Sequence, residues 1–203
     1  MNYVSTRDKN NRVSSAEAIA HGISKEGGLF VPESFPEFSG EDFENLKKLD
    51  YIGRAKYVLK SFLTDFTEEE LDYCVNGAYT GSFDEDKPAP MARRGENINM
   101  LELWHGPTCA FKDLALQMLP YLLTVSAKKV AAGKKTVILV ATSGDTGKAA
   151  LEGFKDVAGT EIMVFYPNDG VSPVPGRRLP NTRPSSLIFA HRPEPSGALS
   201  LNG

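Results

Sequence analysis

The sequence predicts an α/β fold, in which a small and mostly helical N-terminal domain precedes a parallel α/β domain. Helical patterns dominate residues 1–80, and strand and helix alternate over residues 98–171. The glycine- and proline-containing residues 81–97 between them are typical of a linker. Alternating strands and helices indicate a parallel sheet with crossover helices. With 203 residues, the chain is long enough to bury a sizeable core.

The composition excludes several classes of function. Hydrophobic residues make up 41% of the chain and charged residues 24%, which is ordinary for a globular protein. The net charge of -3 argues against nucleic-acid binding, which usually needs a basic surface. Cys74 and Cys109 lack the spacing of a disulfide framework or a metal site, so no metal is expected. Because the chain has no apolar leader and no apolar run of about 20 residues, we expect a cytoplasmic protein that does not bind membranes.

The N-terminal part predicts a series of short elements, most of them helices that begin at good capping residues. In chain order they are a short strand at Tyr3 and Val4, a helix capped by Ser14 or Ser15 with Glu17 following, a helix over Asp42–Lys48, an amphipathic helix over Ile52–Phe66, and a helix over Glu68–Ala78 capped by Thr67.

The second part predicts alternating strands and helices. They are a buried strand over Asn99–Trp104, a helix from Ala110 to about Ala132, a strand over Thr136–Ala141, a helix over Gly147–Val157, and a strand over Glu161–Tyr166. Pro120 is expected to kink the long helix or to split it in two. The last two strands are continuous apolar runs, as in a parallel sheet covered on both faces.

The first candidate site is Lys112, within the stretch LELWHGPTCAFKDLALQ. Thr108 is placed to cap the helix that follows the turn, or Pro107 to start it, which puts Lys112 in the first helical turn. There the helix dipole disfavours a protonated amine by a few tenths to about 1 kcal/mol. If the amine is also desolvated, both effects favour the neutral, nucleophilic form. The alternative is an ordinary surface lysine with its amine in water.

The second candidate site is the loop SGDTG, between the strand ending at Thr142 and the following helix. A glycine-containing loop at a helix N-terminus presents backbone N–H groups to an anion, here around Gly144 and Gly147. Ser143 and Thr146 add hydroxyl donors that suit a phosphate or a carboxylate. Asp145 is an acceptor there and needs a donor partner. The alternative is a tight turn that needs glycine for its backbone angles.

A nucleotide-binding loop is a weaker interpretation of the same residues. TSGDTGKA resembles a P-loop because Lys148 follows a glycine, but that motif requires G-x-x-x-x-G-K-[ST]. Thr142 stands where the first glycine belongs, and Ala149 stands where Ser or Thr would bind magnesium. A G-x-G-x-x-G dinucleotide motif is also absent from the sequence.

Together the two motifs resemble the threonine synthase family, within the fold-type-II group of pyridoxal-phosphate (PLP) enzymes. The resemblance rests on HGPTCAFKDLALQ followed by LVATSGDTGKAALEGF, and it extends to YVSTR, EAIAHGISKEGGLFVP and IMVFYPNDGVSP, covering about Met1–Pro173. It implies a PLP-dependent lyase of amino-acid biosynthesis that converts O-phosphohomoserine and water to threonine and phosphate. PLP is the cofactor, and O-phosphohomoserine the small-molecule substrate, that the resemblance implies.

The resemblance also assigns roles to individual residues. It implies that Lys112 is the catalytic lysine that binds PLP, with Asp145 near the ring hydroxyl of the cofactor. Ser143, Gly144, Thr146 and Gly147 are expected to bind substrate, with Thr146 near its carboxylate.

Two flanking residues and two other functions stay open at this point. His105 could bind phosphate, but a structural role is favoured, and Phe111 is expected to pack under the lysine. The other functions are those of a related PLP-dependent dehydratase and of a non-catalytic phosphate-binding α/β protein. The sequence leaves the oligomeric state open.

The chain departs from the family pattern after Val171. Residues 172–203 contain six prolines, four arginines and no lysine, whereas the first 171 residues contain 14 lysines and five arginines. We expect a divergent, disordered tail, and one hypothesis is a product of another reading frame or a truncation, which sequencing the source gene would test. Family members are about twice this length or more, so the cofactor domain is expected to be incomplete. Weak PLP binding, no turnover, and aggregation through an exposed strand edge would follow.

Overall fold

The computed structural model describes residues 1–84, 87–142, 144–167 and 186–191, with side chains described up to residue 165. The N-terminal part begins with a small antiparallel sheet. Its elements are β1 (Tyr3–Ser5), β2 (Arg12–Val13), α1 (Ser15–His21) and β3 (Phe30–Pro32), and the strand order is β2-β1-β3. The strand at Tyr3 is confirmed. The sequence does not predict the complete sheet, because strands of two or three residues show no usable periodicity.

Three further helices follow: α2 (Gly40–Lys48), α3 (Tyr51–Phe62) and α4 (Glu68–Tyr79). The predicted caps are confirmed where a side-chain oxygen accepts a helix N–H, at Ser14 for α1 and at Thr67 for α4. The predicted end of α3 at Phe66 is wrong by four residues. Leu63 has non-helical dihedrals, φ -103° and ψ 60°, so the helix ends at Phe62, and the Leu63 N–H donates the last helical hydrogen bond, to the carbonyl of Leu59.

A β-hairpin of β4 (Met91–Arg94) and β5 (Ile98–Leu101) lies where the sequence suggests a linker and then a buried strand. Both expectations need correction for these residues. Gly95 has φ +74° and allows a three-residue turn that pairs the two strands antiparallel. All four residues of β5 are exposed, and β5 is not part of the parallel sheet. Its apolar run does not lie in the core.

The predicted long helix is two helices, α5 (Asp113–Leu116) and α6 (Leu119–Val130). Pro120 lies at the start of α6, where a missing backbone N–H costs nothing, so the splitting alternative is the correct one.

The C-terminal part is a parallel α/β unit. Its elements are β6 (Thr136–Ala141), α7 (Asp145–Phe154), β7 (Thr160–Pro167) and β8 (Ser186–His191), and the strand order is β6-β7-β8. The predicted strand-helix-strand unit is confirmed. The prediction that β6 is buried on both faces is wrong for the described residues, because Val137 and Leu139 are 53% and 66% exposed. In the described residues, helices cover only the face of β6 that carries Ile138 and Val140.

The strand β8 lies within the segment 172–203 that the sequence suggests is disordered. For Ser186–His191 that expectation is corrected, since the apolar run SLIFAH hydrogen-bonds to β7 along its length. The predictions for residues 172–185 and 192–203 lie outside the described residues.

Two hydrophobic clusters lie on either side of α6. In the first, Met118 and Val125 pack with α4 and with the buried Leu63 and Phe66. In the second, α7 packs on the sheet with Leu123 of α6 partly buried against it. The helix α6 therefore fixes the N-terminal helices relative to the sheet. No helix in the described part of the chain is long and apolar enough to cross a bilayer.

Candidate active site

The segment before α5 forms a loop closed by two buried side chains. The carboxyl group of Asp113 accepts the backbone N–H of Thr108 at 2.8 Å and its hydroxyl at 2.7 Å. The backbone N–H of Ala110 contributes a longer contact of 3.4 Å. Asp113 is fully buried and Thr108 is 7% exposed. We call this pair, Thr108 with Asp113, the clasp.

Two unusual backbone positions allow the loop to close. Gly106 is so close to Asp113 that an added Cβ would overlap the aspartate side chain. Cys109 has φ +57°, a left-handed conformation that is uncommon for a residue with a Cβ. Such positions occur where the surrounding structure overrides local preference, often at functional sites.

Lys112 lies between this loop and α5. It is the N-cap residue of α5, with φ -64° and ψ -20°, so the predicted cap at Thr108 is wrong: Thr108 bonds the Asp113 side chain instead. Because α5 has only four residues, its dipole is small and the dipole argument for a neutral amine is weakened. The side chain is half-buried, and Nζ lies 4.6 Å from the centroid of the Phe111 ring. In the described part of the chain, no hydrogen bond or ion pair engages Nζ.

The N-terminal helices anchor α5 from the other side. The hydroxyl of Tyr79, at the end of α4, donates to the carbonyl of Leu114 at 2.8 Å. The Tyr79 ring also packs edge-on against Tyr51, with 5.0 Å between the centroids. Burial, and then the neighbouring Tyr51, raises the pKa of the Tyr79 phenol.

Replacing Tyr79 with phenylalanine is expected to lower the free energy of unfolding by about 1 kcal/mol, since the partly buried Leu114 carbonyl loses its donor. The raised pKa favours the neutral phenol in the folded state. The contribution of the neutral Tyr79 phenol to the free energy of unfolding is therefore complete below about pH 10, the ordinary pKa of tyrosine. It declines as the pH rises further. Urea unfolding at pH 7 measures the loss. Tyr73→Phe is the control, because Tyr73 is 47% exposed; equal losses would contradict the anchoring role.

His105 precedes the loop and has a partner of its own. Its Nε2 lies 2.9 Å from Oε2 of Glu102, and the side chains are only 14% and 18% exposed. Its ring also stacks on Trp104, and its carbonyl accepts the N–H of Asp84 at 2.9 Å. These contacts agree with the structural role favoured from the sequence.

The second candidate site lies where β6 ends and α7 begins. In parallel α/β sheets, ligands bind at this carboxyl edge. Gly144 is the N-cap of α7 and has no side chain to cap the helix, and its N–H donates to Oγ1 of Thr142 at 3.3 Å. Asp145 is the first residue of the helix and is exposed, while Thr146 is half-buried. Ser143, a predicted substrate-binding residue, lies outside the described residues.

The two glycines of this loop differ in what the fold requires. A Cβ at Gly147 would overlap the side chain of Thr142, so the end of β6 and the start of α7 can meet only if residue 147 is glycine. Gly144 has φ -161°, which any residue adopts. Apart from its neighbours in the chain, no described residue has an atom within 4 Å of a Cβ built at Gly144. Packing does not explain Gly144, and the glycine leaves open space beside the start of α7.

The fold brings the two candidate sites onto neighbouring helices. The helices α5 and α7 pack together, with Gly153 of α7 against the Leu116 carbonyl of α5. Within the described ranges, no hydrogen bond or ion pair joins Lys112 to residues 144–147. The predicted roles of these residues stay predictions.

Comparison with known proteins identifies the family. Residues 2–79 match the family model described as the threonine synthase N terminus. Threonine synthase of Escherichia coli (strain K12) is 35% identical over 175 residues, which are 86% of this chain and 39% of that protein. The chain belongs to the threonine synthase family. Its α/β fold agrees with solved threonine synthase structures. The PLP-bound enzyme from Brucella melitensis has a TM-score of 0.79 and 36% identity, with 85% of this chain and 37% of that chain covered.

The yeast threonine synthase structure has a TM-score of 0.84 and 29% identity, with 93% of this chain and 40% of that chain covered. The chain thus spans between 37% and 40% of the length of these threonine synthase structures. The expected cytoplasmic location stays a prediction.

The structure adds two residues to the candidate site that the sequence did not identify. Asp113 closes the lysine loop, and Tyr79 fixes α5. An aspartate at the first helical position is usually explained by the helix dipole, and Asp113 has that pattern. A tyrosine 33 positions before the lysine gives no local signal.

Proposed function

We propose that the chain carries the PLP-attachment site of a threonine synthase, with Lys112 as the covalent anchor. The reaction is the conversion of O-phospho-L-homoserine and water to L-threonine and phosphate. The observation that carries the proposal is the arrangement at Lys112. Its backbone is fixed on both sides by hydrogen bonds, and in the described part of the chain its Nζ makes no hydrogen bond or ion pair and has the Phe111 ring 4.6 Å away.

The residues present fit PLP in two respects. A primary amine free of ion pairs is what the aldehyde of the cofactor requires. The space kept open at Gly144, beside a helix start without a side-chain cap, suits an anionic group of the cofactor or the substrate. Both features lie on helices that pack together.

Each residue has a specific task in this proposal. Bound PLP supplies the electron sink that makes protons on the substrate carbons removable. Lys112 holds the cofactor through Nζ, and the same amine, when released, accepts a proton from a substrate carbon and returns one. Thr146, through its hydroxyl, and the first backbone N–H groups of α7 bind the substrate carboxylate. Asp145 accepts a hydrogen bond from the ring hydroxyl of the cofactor.

The proposal is tested by incubating the chain with PLP, reducing with borohydride and measuring the retained pyridoxyl group. Retention supports the PLP lyase group, and no retained group favours the non-catalytic phosphate-binding function. A dehydratase would act on serine or threonine, so phosphate release from O-phosphohomoserine separates the two lyases. For a polypeptide of these 203 residues we expect attachment without measurable phosphate release, because it spans 39% of the E. coli relative. A normal rate would contradict that expectation.

Replacing Gly144 with alanine is expected to reduce PLP retention about tenfold at subsaturating cofactor, because the Cβ fills the space proposed for an anionic group. The free energy of unfolding should change by less than about 0.5 kcal/mol, since residue 144 is exposed and an added Cβ meets open space. Borohydride trapping and urea unfolding measure the two effects. Retention equal to that of the unmodified chain would show that the space is unused.

A further inference from the structure

The clasp joins the two ends of the lysine loop. Thr108 lies near its start and Asp113 directly follows Lys112, and both are more than nine-tenths buried. Two hydrogen bonds of 2.7 and 2.8 Å connect them through a single carboxyl group. We infer that Thr108 and Asp113 are positioning residues, which hold the backbone of Lys112 so that its amine meets PLP. The identity of the ligand rests on the proposed function, but the positioning itself does not.

The backbone contacts of Lys112 support this inference. On the far side, its carbonyl accepts the N–H groups of Ala115 and Leu116, at 3.1 and 2.8 Å. On the near side, the N–H of Asp113 donates to the carbonyl of Ala110 at 2.9 Å, and the clasp closes the same loop. The main chain is therefore held from both directions, while in the described residues no hydrogen bond or ion pair engages the amine.

The test separates positioning from stability. Thr108→Val keeps the shape of the side chain but removes the hydroxyl, so the Asp113 oxygen loses a donor. We expect PLP labelling of Lys112 to fall about tenfold at subsaturating cofactor, because the loop opens. Thr108→Ser keeps both hydrogen bonds and should label within about twofold of the unmodified chain.

Thr124→Val is the matched control. Thr124 is also a buried threonine, 8% exposed, and its hydroxyl donates to the Pro120 carbonyl at 2.8 Å within α6. This variant also removes a buried threonine hydroxyl, but away from the lysine loop, and should leave the labelling of Lys112 unchanged. If the clasp were only structural, both variants would affect labelling equally, and that result would overturn the inference.

A second measurement does not depend on PLP. Trace acetylation with acetic anhydride, followed by mass spectrometry, gives the reactivity of Lys112 relative to the exposed Lys128. In Thr108→Val this ratio should rise about threefold, because the Lys112 side chain, which is half-buried in the unmodified chain, is released. If Lys112 takes up no PLP but the ratio rises, the proposed function fails and the positioning stands. An unchanged ratio in a folded variant overturns the positioning.

If Thr108→Val does not fold, hydrogen exchange in the unmodified chain tests whether the clasp holds the lysine loop. The amide of Thr108 should exchange as slowly as the amides of α6, because it donates to a buried carboxyl group. Exchange as fast as that of the exposed strand β5 would overturn the inference.

Discussion

Replacing Lys112 with alanine is expected to abolish the retention of a borohydride-reduced pyridoxyl group, even at saturating PLP. The reason is chemical, since the proposed attachment needs a primary amine at this position. Lys112→Arg should abolish retention as well, because a guanidinium keeps the positive charge but does not act as that nucleophile. Intact-mass measurement of the reduced protein gives the labelled fraction directly.

The matched control is Lys148→Ala. Lys148 directly follows Gly147, in the place of the P-loop lysine, and it is half-buried like Lys112. It should retain PLP at the level of the unmodified chain. A loss of retention in Lys148→Ala together with normal retention in Lys112→Ala would reject our assignment.

Replacing Gly153 with alanine should have the largest effect on stability. Alanine normally stabilises a helix interior by about 1 kcal/mol relative to glycine. In α7 the added Cβ would overlap the carbonyl oxygen of Leu116, a backbone atom that no side-chain rotation can move. The two helices must separate, and we expect the free energy of unfolding to fall by about 3 kcal/mol. Urea unfolding followed by circular dichroism measures this change.

Gly40→Ala is the control for Gly153. Gly40 begins α2, and apart from its chain neighbours and the backbone of its own helix, no described residue has an atom within 4 Å of a Cβ built there. This variant should be as stable as the unmodified chain or slightly more stable. A Gly153→Ala variant that behaves like Gly40→Ala would show that α5 and α7 are not in close contact.

The sequence predicts the elements whose signals are local. The predicted strand over Thr136–Ala141 has the same first and last residues as β6, because a run rich in β-branched residues lies between polar ones. Capping residues likewise give the starts of α1 and α4. These signals need no information about distant parts of the chain.

The sequence does not predict features that depend on contacts between elements. The apolar residues of β5 suggest burial, but only the pairing with β4 shows that this strand is part of an exposed hairpin. The clasp depends on the left-handed backbone at Cys109, which no residue-type pattern indicates for a cysteine. The candidate site was therefore predicted at Lys112, but its supporting residues were not.

Peptide mapping of the borohydride-reduced PLP adduct of the unmodified chain tests the central claim most directly. We predict that the pyridoxyl group is found on the peptide that contains Lys112, in large excess over the peptides of the other lysines. A label spread over exposed lysines, with Lys112 unmodified, would contradict the claim that this residue is the PLP anchor.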